Sequence, residues 1–79
     1  MSLDRDAELR HMNEADAHIA DAERRITKQG ILLDELRRDG HDTQEAERLL
    51  HEFRKTLEAL YRHRKIIAET IVQIDAGLI

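Results

Sequence analysis

This chain of 79 residues lacks cysteine, proline and tryptophan, and it contains one tyrosine, one phenylalanine and three glycines. The absence of cysteine excludes disulfides and thiolate sites. No apolar run approaches the roughly 18 residues that a membrane-spanning helix needs. A single core of this size without a disulfide is marginally stable by itself. We therefore expect a metal, self-association or a partner protein to contribute to its stability.

The charge balance also excludes one class of partner. The chain has 13 basic and 17 acidic residues and a formal net charge of -4, whereas nucleic-acid binding needs a basic face. The first residues, MSLDRDAELR, lack the basic-then-apolar order of a secretory signal. We expect a cytoplasmic protein that binds neither nucleic acid nor a membrane. A charged fraction of 38% without proline favours long helices.

Apolar residues recur in alternating steps of three and four, which is the pattern of heptad positions a and d. The first stripe comprises Met12, Ala15, Ile19, Ala22, Ile26, Gln29, Leu33 and Leu36. The second comprises Ala46, Leu50, Phe53, Leu57, Leu60, Arg64, Ile67, Ile71 and Ile74. The pattern predicts two long helices, over about residues 4–38 and 43–75, in a single domain of residues 1–79.

The segment between the two stripes, DGHD, has the features of a turn. Gly40 can adopt the left-handed conformation that ends a helix. Asp42 can cap the second helix, with Glu45 completing a capping-box variant. Ser2 or Asp4 can cap the first helix. A single kinked helix is the alternative, and the capping signal directly after the glycine favours a turn at residues 39–42.

An antiparallel hairpin requires the residue numbers of facing partners to add to a constant value. The two stripes meet this condition with Leu36 opposite Ala46, Leu33 opposite Leu50, Gln29 opposite Phe53, Ile26 opposite Leu57, Ala22 opposite Leu60, Ile19 opposite Arg64, Ala15 opposite Ile67 and Met12 opposite Ile71. The predicted fold is therefore all-α, an antiparallel two-helix coiled-coil hairpin. Pairing between swapped chains satisfies the same condition and remains open.

Several apolar residues lie outside the stripes and are candidates for an interaction surface. They are Leu32, Leu49, Tyr61, Ile66 and Val72. Exposed apolar rows of this kind mark contact surfaces. A symmetric dimer of hairpins, forming a four-helix bundle, covers them most simply. A complex with a different protein is the alternative.

Two polar residues interrupt the stripes, Gln29 and Arg64. Polar residues at such positions fix register or oligomeric state. We expect the stem of Arg64 to pack on Ile19 and its guanidinium to reach Asp16 or Glu23.

Histidines occur in two arrangements that are incomplete as metal sites. Glu8 and His11 have the Glu-x-x-His spacing of ferritin-like bundles, but the heptad core supplies no further carboxylates. His18 and His63 are expected to be neighbours across the hairpin. Two imidazoles make an incomplete zinc site, and two protonated ones repel each other. We expect surface histidines and no metal or cofactor.

The stretch LLHEFRKTLEAL, residues 49–60, resembles the H-box of sensor histidine kinases. The resemblance implies phosphorylation of His51, assisted by the acidic Glu52, with Thr56 as the following polar residue. The chain departs from that family because no proline follows the box and because the box lies on the second helix. A phosphotransfer or phosphosignalling accessory module is therefore the alternative function.

The longer stretch LRRDGHDTQEAERLLHEFRKTLEALYRHRKII resembles small uncharacterised helical proteins of alphaproteobacteria with a DGHDT-type turn. This resemblance implies a hairpin and brings no activity with it. The chain has no glycine-rich phosphate loop, nucleophile elbow or cysteine site. We expect no enzyme, but a small helical interaction protein that forms a homodimer and binds a protein partner.

Overall fold

The computed structural model describes residues 4–79, which form two helices joined by a short turn. Helix α1 spans Arg5–Arg38 and helix α2 spans Gln44–Asp75. They pack along their length as an antiparallel hairpin measuring 59 × 16 × 15 Å, and the described residues contain no strand. The predicted all-α hairpin is confirmed.

Asp4 caps the start of α1. Its Oδ1 accepts a hydrogen bond from the N–H of Asp6 at 3.0 Å, which satisfies one of the free donors of the first turn. Acidic residues lie in this first turn and the basic Arg37 and Arg38 lie in the last, so both ends complement the helix dipole. The alternative cap, Ser2, lies outside the described residues.

Gly40 ends α1 in the left-handed conformation that the sequence predicts, with a φ of 75°. The N–H of Gly40 donates to the carbonyl of Arg37 at 3.2 Å, and the N–H of His41 donates to the carbonyl of Leu36 at 2.9 Å. These two bonds form a Schellman motif, which satisfies carbonyls that have no partner within the helix. The chain therefore reverses direction within a few residues.

The start of α2 differs from the predicted capping box. Thr43 is the N-cap residue, and its side chain makes no capping bond. Asp42 instead accepts from the N–H of Gln44 at 3.0 Å, as in an Asx turn. With Thr43 at the cap, Glu45 lies one position too early for a capping box, and its carboxylate pairs with Arg48. That pairing lowers the pKa of Glu45.

The core is the seam between the two stripes. Every residue of both stripes is buried or half-buried. The best-packed part lies next to the turn, where Leu33, Ala46 and Leu50 form a cluster flanked by Ile26 and Leu36. This cluster contains the predicted pairs nearest the turn and therefore supports the predicted register there.

Gln29 is buried in the seam at 8% exposure. Its Nε2 donates to the backbone carbonyl of Ala46 at 3.0 Å. Ala46 lies one heptad nearer the turn than Phe53, which the register places opposite Gln29. The small side chain of Ala46 leaves room for this approach. The bond satisfies a buried amide that is otherwise costly to desolvate.

Glycine substitutions at two positions test the turn, because a Cβ has open space at both Gly40 and Gly30. Gly40→Ala forces a side chain into the left-handed region and should destabilise the hairpin by about 1 kcal/mol. Gly30→Ala, inside α1, should stabilise it by up to about 1 kcal/mol because alanine is the better helix former. Urea unfolding of both variants measures this. If both substitutions changed the free energy of unfolding in the same direction, the assigned turn would be contradicted.

Truncation of the cluster beside the turn tests the seam. Leu33 is 5% exposed, so Leu33→Ala should leave a cavity and cost about 2–4 kcal/mol. The control is Ile31→Ala, which removes methyl groups from a side chain that is 54% exposed and should cost below about 1 kcal/mol. Similar losses in thermal or urea unfolding for the two variants would refute the assigned seam.

Candidate interaction surfaces

One side of the hairpin, along heptad positions e, carries contacts between charged or hydroxyl-bearing side chains of the two helices. We call it the polar face. Its cross-helix contacts are Arg5 to Asp75 at 2.6 Å, Asp16 to Arg64 at 2.6 Å, Glu23 to Tyr61 at 3.3 Å and Arg37 to Glu47 at 3.0 Å. These contacts join the two helices from the termini to the turn, and their order agrees with the antiparallel register.

Arg64 makes the contact that the sequence predicts. It is half-buried at a core position, and its Nε donates to Oδ1 of Asp16. The guanidinium thus leaves the seam on the polar face and keeps its charge at the surface. On the same face, partial desolvation and the neighbouring carboxylate of Glu23 raise the pKa of Tyr61.

The opposite side of the hairpin, along heptad positions g and c, is open. We call it the groove face; its g positions include His11, His18, Arg25, Leu32, Leu49, Thr56, His63 and Thr70, and its c positions include Glu14, Asp21, Lys28, Glu35, Glu45, Glu52, Ala59 and Ile66. A groove of about 310 Å³ runs into the seam here, lined by His18, Asp21, Ala22, Arg25, Phe53, Thr56 and Leu60. Core side chains are therefore accessible from this side of the hairpin.

The sequence did not predict the groove. The register places the large Leu60 opposite the small Ala22, but Leu60 and Phe53 are only half-buried and both line the opening. Two helices cannot enclose a layer from every side, and the short Thr56 does not cover it. In a sequence, a small residue in the seam beside a short polar residue at the flanking position would indicate such a groove.

The five apolar candidates divide between the two faces. Leu32, Leu49 and Ile66 lie on the groove face, whereas Tyr61 and Val72 occupy positions e and b on the side of the polar face. Leu49 is half-buried, and the other four are between 44% and 66% exposed. The groove face therefore carries apolar side chains on both sides of the groove along the hairpin.

The H-box residues do not form a common site. His51 is exposed and, within the described residues, makes no hydrogen bond or ion pair. Glu52 lies 4.0 Å from the Nζ of Lys55, and the hydroxyl of Thr56 donates to the carbonyl of Glu52 at 3.1 Å. Thr56 lines the groove, whereas His51 occupies a b position on the other side of α2.

The remaining histidines offer little for metal binding. The Nδ1 of His11 lies 3.6 Å from a carboxylate oxygen of Glu8. Residues 4–79 contain no group of three or more histidine, aspartate or glutamate side chains arranged to hold a metal ion. His18 lies at the groove and His63 is exposed, so their proximity stays a prediction. In the same part of the chain, neither helix has a stretch long and apolar enough to cross a membrane.

Comparison of the chain with family models, with curated proteins and with solved structures gives no match. No relative therefore contributes a function or a site. The resemblance of the DGHDT turn to that of small alphaproteobacterial proteins stays a prediction.

Phosphorylation of His51 has a direct test. Because Glu52 pairs with Lys55 and Thr56 points to the groove, we expect no acid-labile phosphate after incubation with acetyl phosphate or with a histidine kinase. Phosphate detection at alkaline pH measures this, with His51→Gln as the control. Acid-labile phosphate on the unmodified chain that is absent from His51→Gln would establish the phosphotransfer alternative.

Proposed function

We propose that this chain is a small, non-enzymatic helical interaction protein that self-associates. In this proposal the hairpin packs as a coiled coil, two copies form a four-helix bundle, and the assembly binds a further protein partner. The location expected from the sequence, the cytoplasm, stays part of the proposal. The observation that carries it is the amount of apolar surface that one hairpin leaves uncovered.

The accessible surface supports self-association. It measures 5978 Å², whereas a compact monomer of 9.2 kDa exposes roughly 4900 Å². Among the described residues, no large side chain is fully buried. The elongated hairpin thus exposes roughly 1000 Å² more than a compact monomer of its mass, and a standard protein interface buries about 800 Å² of each subunit.

The shape of the molecule supports a binding role over a catalytic one. Enzyme sites are concave pockets that enclose most of a substrate and exclude water. The groove is a shallow opening along the surface of two helices, with apolar core side chains as its floor. Such a surface suits the side chains of another helix.

Sedimentation equilibrium tests the proposal. We expect a dimer or larger species at micromolar concentration, because the uncovered apolar side chains gain stabilisation from burial at about 25 cal/mol per Å². Circular dichroism of the same sample shows whether the chain is folded. A folded monomer at that concentration would contradict self-association.

A further inference from the structure

We infer that a second copy of this chain docks on the groove face, with the two grooves in contact and the two turns at opposite ends. The two-fold axis lies in the plane of the interface, at right angles to the helices and level with the groove. This inference rests on the proposed self-association and assigns it to one surface and one orientation.

The position of the groove supports this arrangement. Ala22 lies close to the middle of α1 and Leu60 close to the middle of α2. A two-fold axis level with the groove therefore overlaps the two hairpins along their whole length. Because a two-fold interface uses the same patch on both subunits, a central groove gives the largest overlap.

The area of the face matches what a stable dimer needs. A surface of 59 × 16 Å presents on the order of 900 Å², and a standard interface buries about 800 Å² on each partner. Full overlap is required to reach this value, so an off-centre contact would bury too little. The apolar side chains at the groove and at Leu32, Leu49 and Ile66 lie within this area.

Charges on the groove side of α1 are self-complementary. Glu14 and Lys28 occupy heptad positions c at similar distances from Asp21, and the axis places Glu14 opposite Lys28 of the partner subunit. Asp21, near the axis, is neutralised in its own chain by Arg24 at 3.5 Å and Arg25 at 3.2 Å. Opposite charges across an interface select its orientation.

The other two-fold orientation, with both turns at the same end, is less favourable. It places Lys28 beside Glu52 of the partner subunit but also Glu35 beside Glu45 of the partner subunit, and that contact between like charges offsets the attraction. Docking on the polar face is also less favourable. It would cover the ion pairs Arg64 to Asp16 and Arg37 to Glu47 and would leave the apolar side chains of the groove face in water, so it would gain less from burial.

Cross-linking tests the orientation, and the chain offers a clean background because it has no cysteine. In Glu14→Cys/Lys28→Cys, the two thiols lie about 21 Å apart in one helix, at 1.5 Å per residue. A short bis-maleimide therefore links them only between chains, and we expect a covalent dimer on a denaturing gel. The matched control on the opposite side is Asn13→Cys/Thr27→Cys, which has the same spacing and should stay monomeric.

Substitution by a bulky charged residue tests independently which face the second copy contacts. Ala59 is exposed at position c near the centre of the groove face, and Ala20 is exposed at position b of α1 on the opposite side. Ala59→Arg should weaken dimerisation by about tenfold or more in sedimentation equilibrium, because it brings like charges together near the axis, whereas Ala20→Arg should leave it unchanged. Circular dichroism confirms that both variants are folded.

The outcomes separate this inference from the proposed function. A monomeric, folded unmodified chain would overturn both. A dimer that resists Ala59→Arg, or that cross-links through positions 13 and 27 instead of 14 and 28, would overturn the groove-face inference and leave self-association standing. Loss of the dimer in Ala59→Arg alone, together with the 14–28 cross-link, supports the inference.

Discussion

The structure depends on one constraint: two helices can bury only the stripe that each presents to the other. The seam between the helices removes one row of side chains per helix from water, and both sides of the seam stay accessible. What closes each side is then decided by the residues at the flanking heptad positions. In this hairpin the two sides are closed to very different degrees.

On the polar face, side chains of the two helices pair with each other from the termini to the turn. Single exposed ion pairs of this kind contribute little stability, about 0–1 kcal/mol each. Their effect is mainly on register, because a shift of one heptad separates both Arg64 from Asp16 and Arg37 from Glu47.

On the groove face no comparable set of paired side chains covers the seam, and the core side chains Phe53 and Leu60 remain half-buried. The hairpin therefore has one side on which side chains pair across the seam and one side on which the seam stays open.

Most of the fold was predictable because its determinants are local or periodic. Heptad spacing identified the seam, and Gly40 identified the turn, where only a residue without a Cβ adopts the left-handed conformation easily. The contact of Arg64 with Asp16 followed from the register and from the length of the arginine stem. The start of α2 was less predictable because Asp42 and Thr43 both have capping side chains, and the choice between them depends on small differences in backbone geometry.

The groove was not predictable from the stripes, because it depends on how completely neighbouring side chains fill space. Heptad notation treats a layer with Ala22 and Leu60 as filled when the two volumes are complementary. In the structure the short Thr56 leaves that layer open to one side. The contact of Gln29 with the carbonyl of Ala46 was missed for a related reason, since the direction of a long flexible side chain does not follow from its heptad position.

We propose that a second copy of the chain completes the stability of this hairpin. The measurement that tests this most directly is the urea midpoint of unfolding as a function of protein concentration, from about one to several hundred micromolar. If association stabilises the folded state, mass action requires the midpoint to rise with concentration. A midpoint that stays constant over this range, with an unchanged denaturant slope, would show that the hairpin is stable as a monomer and would contradict the account.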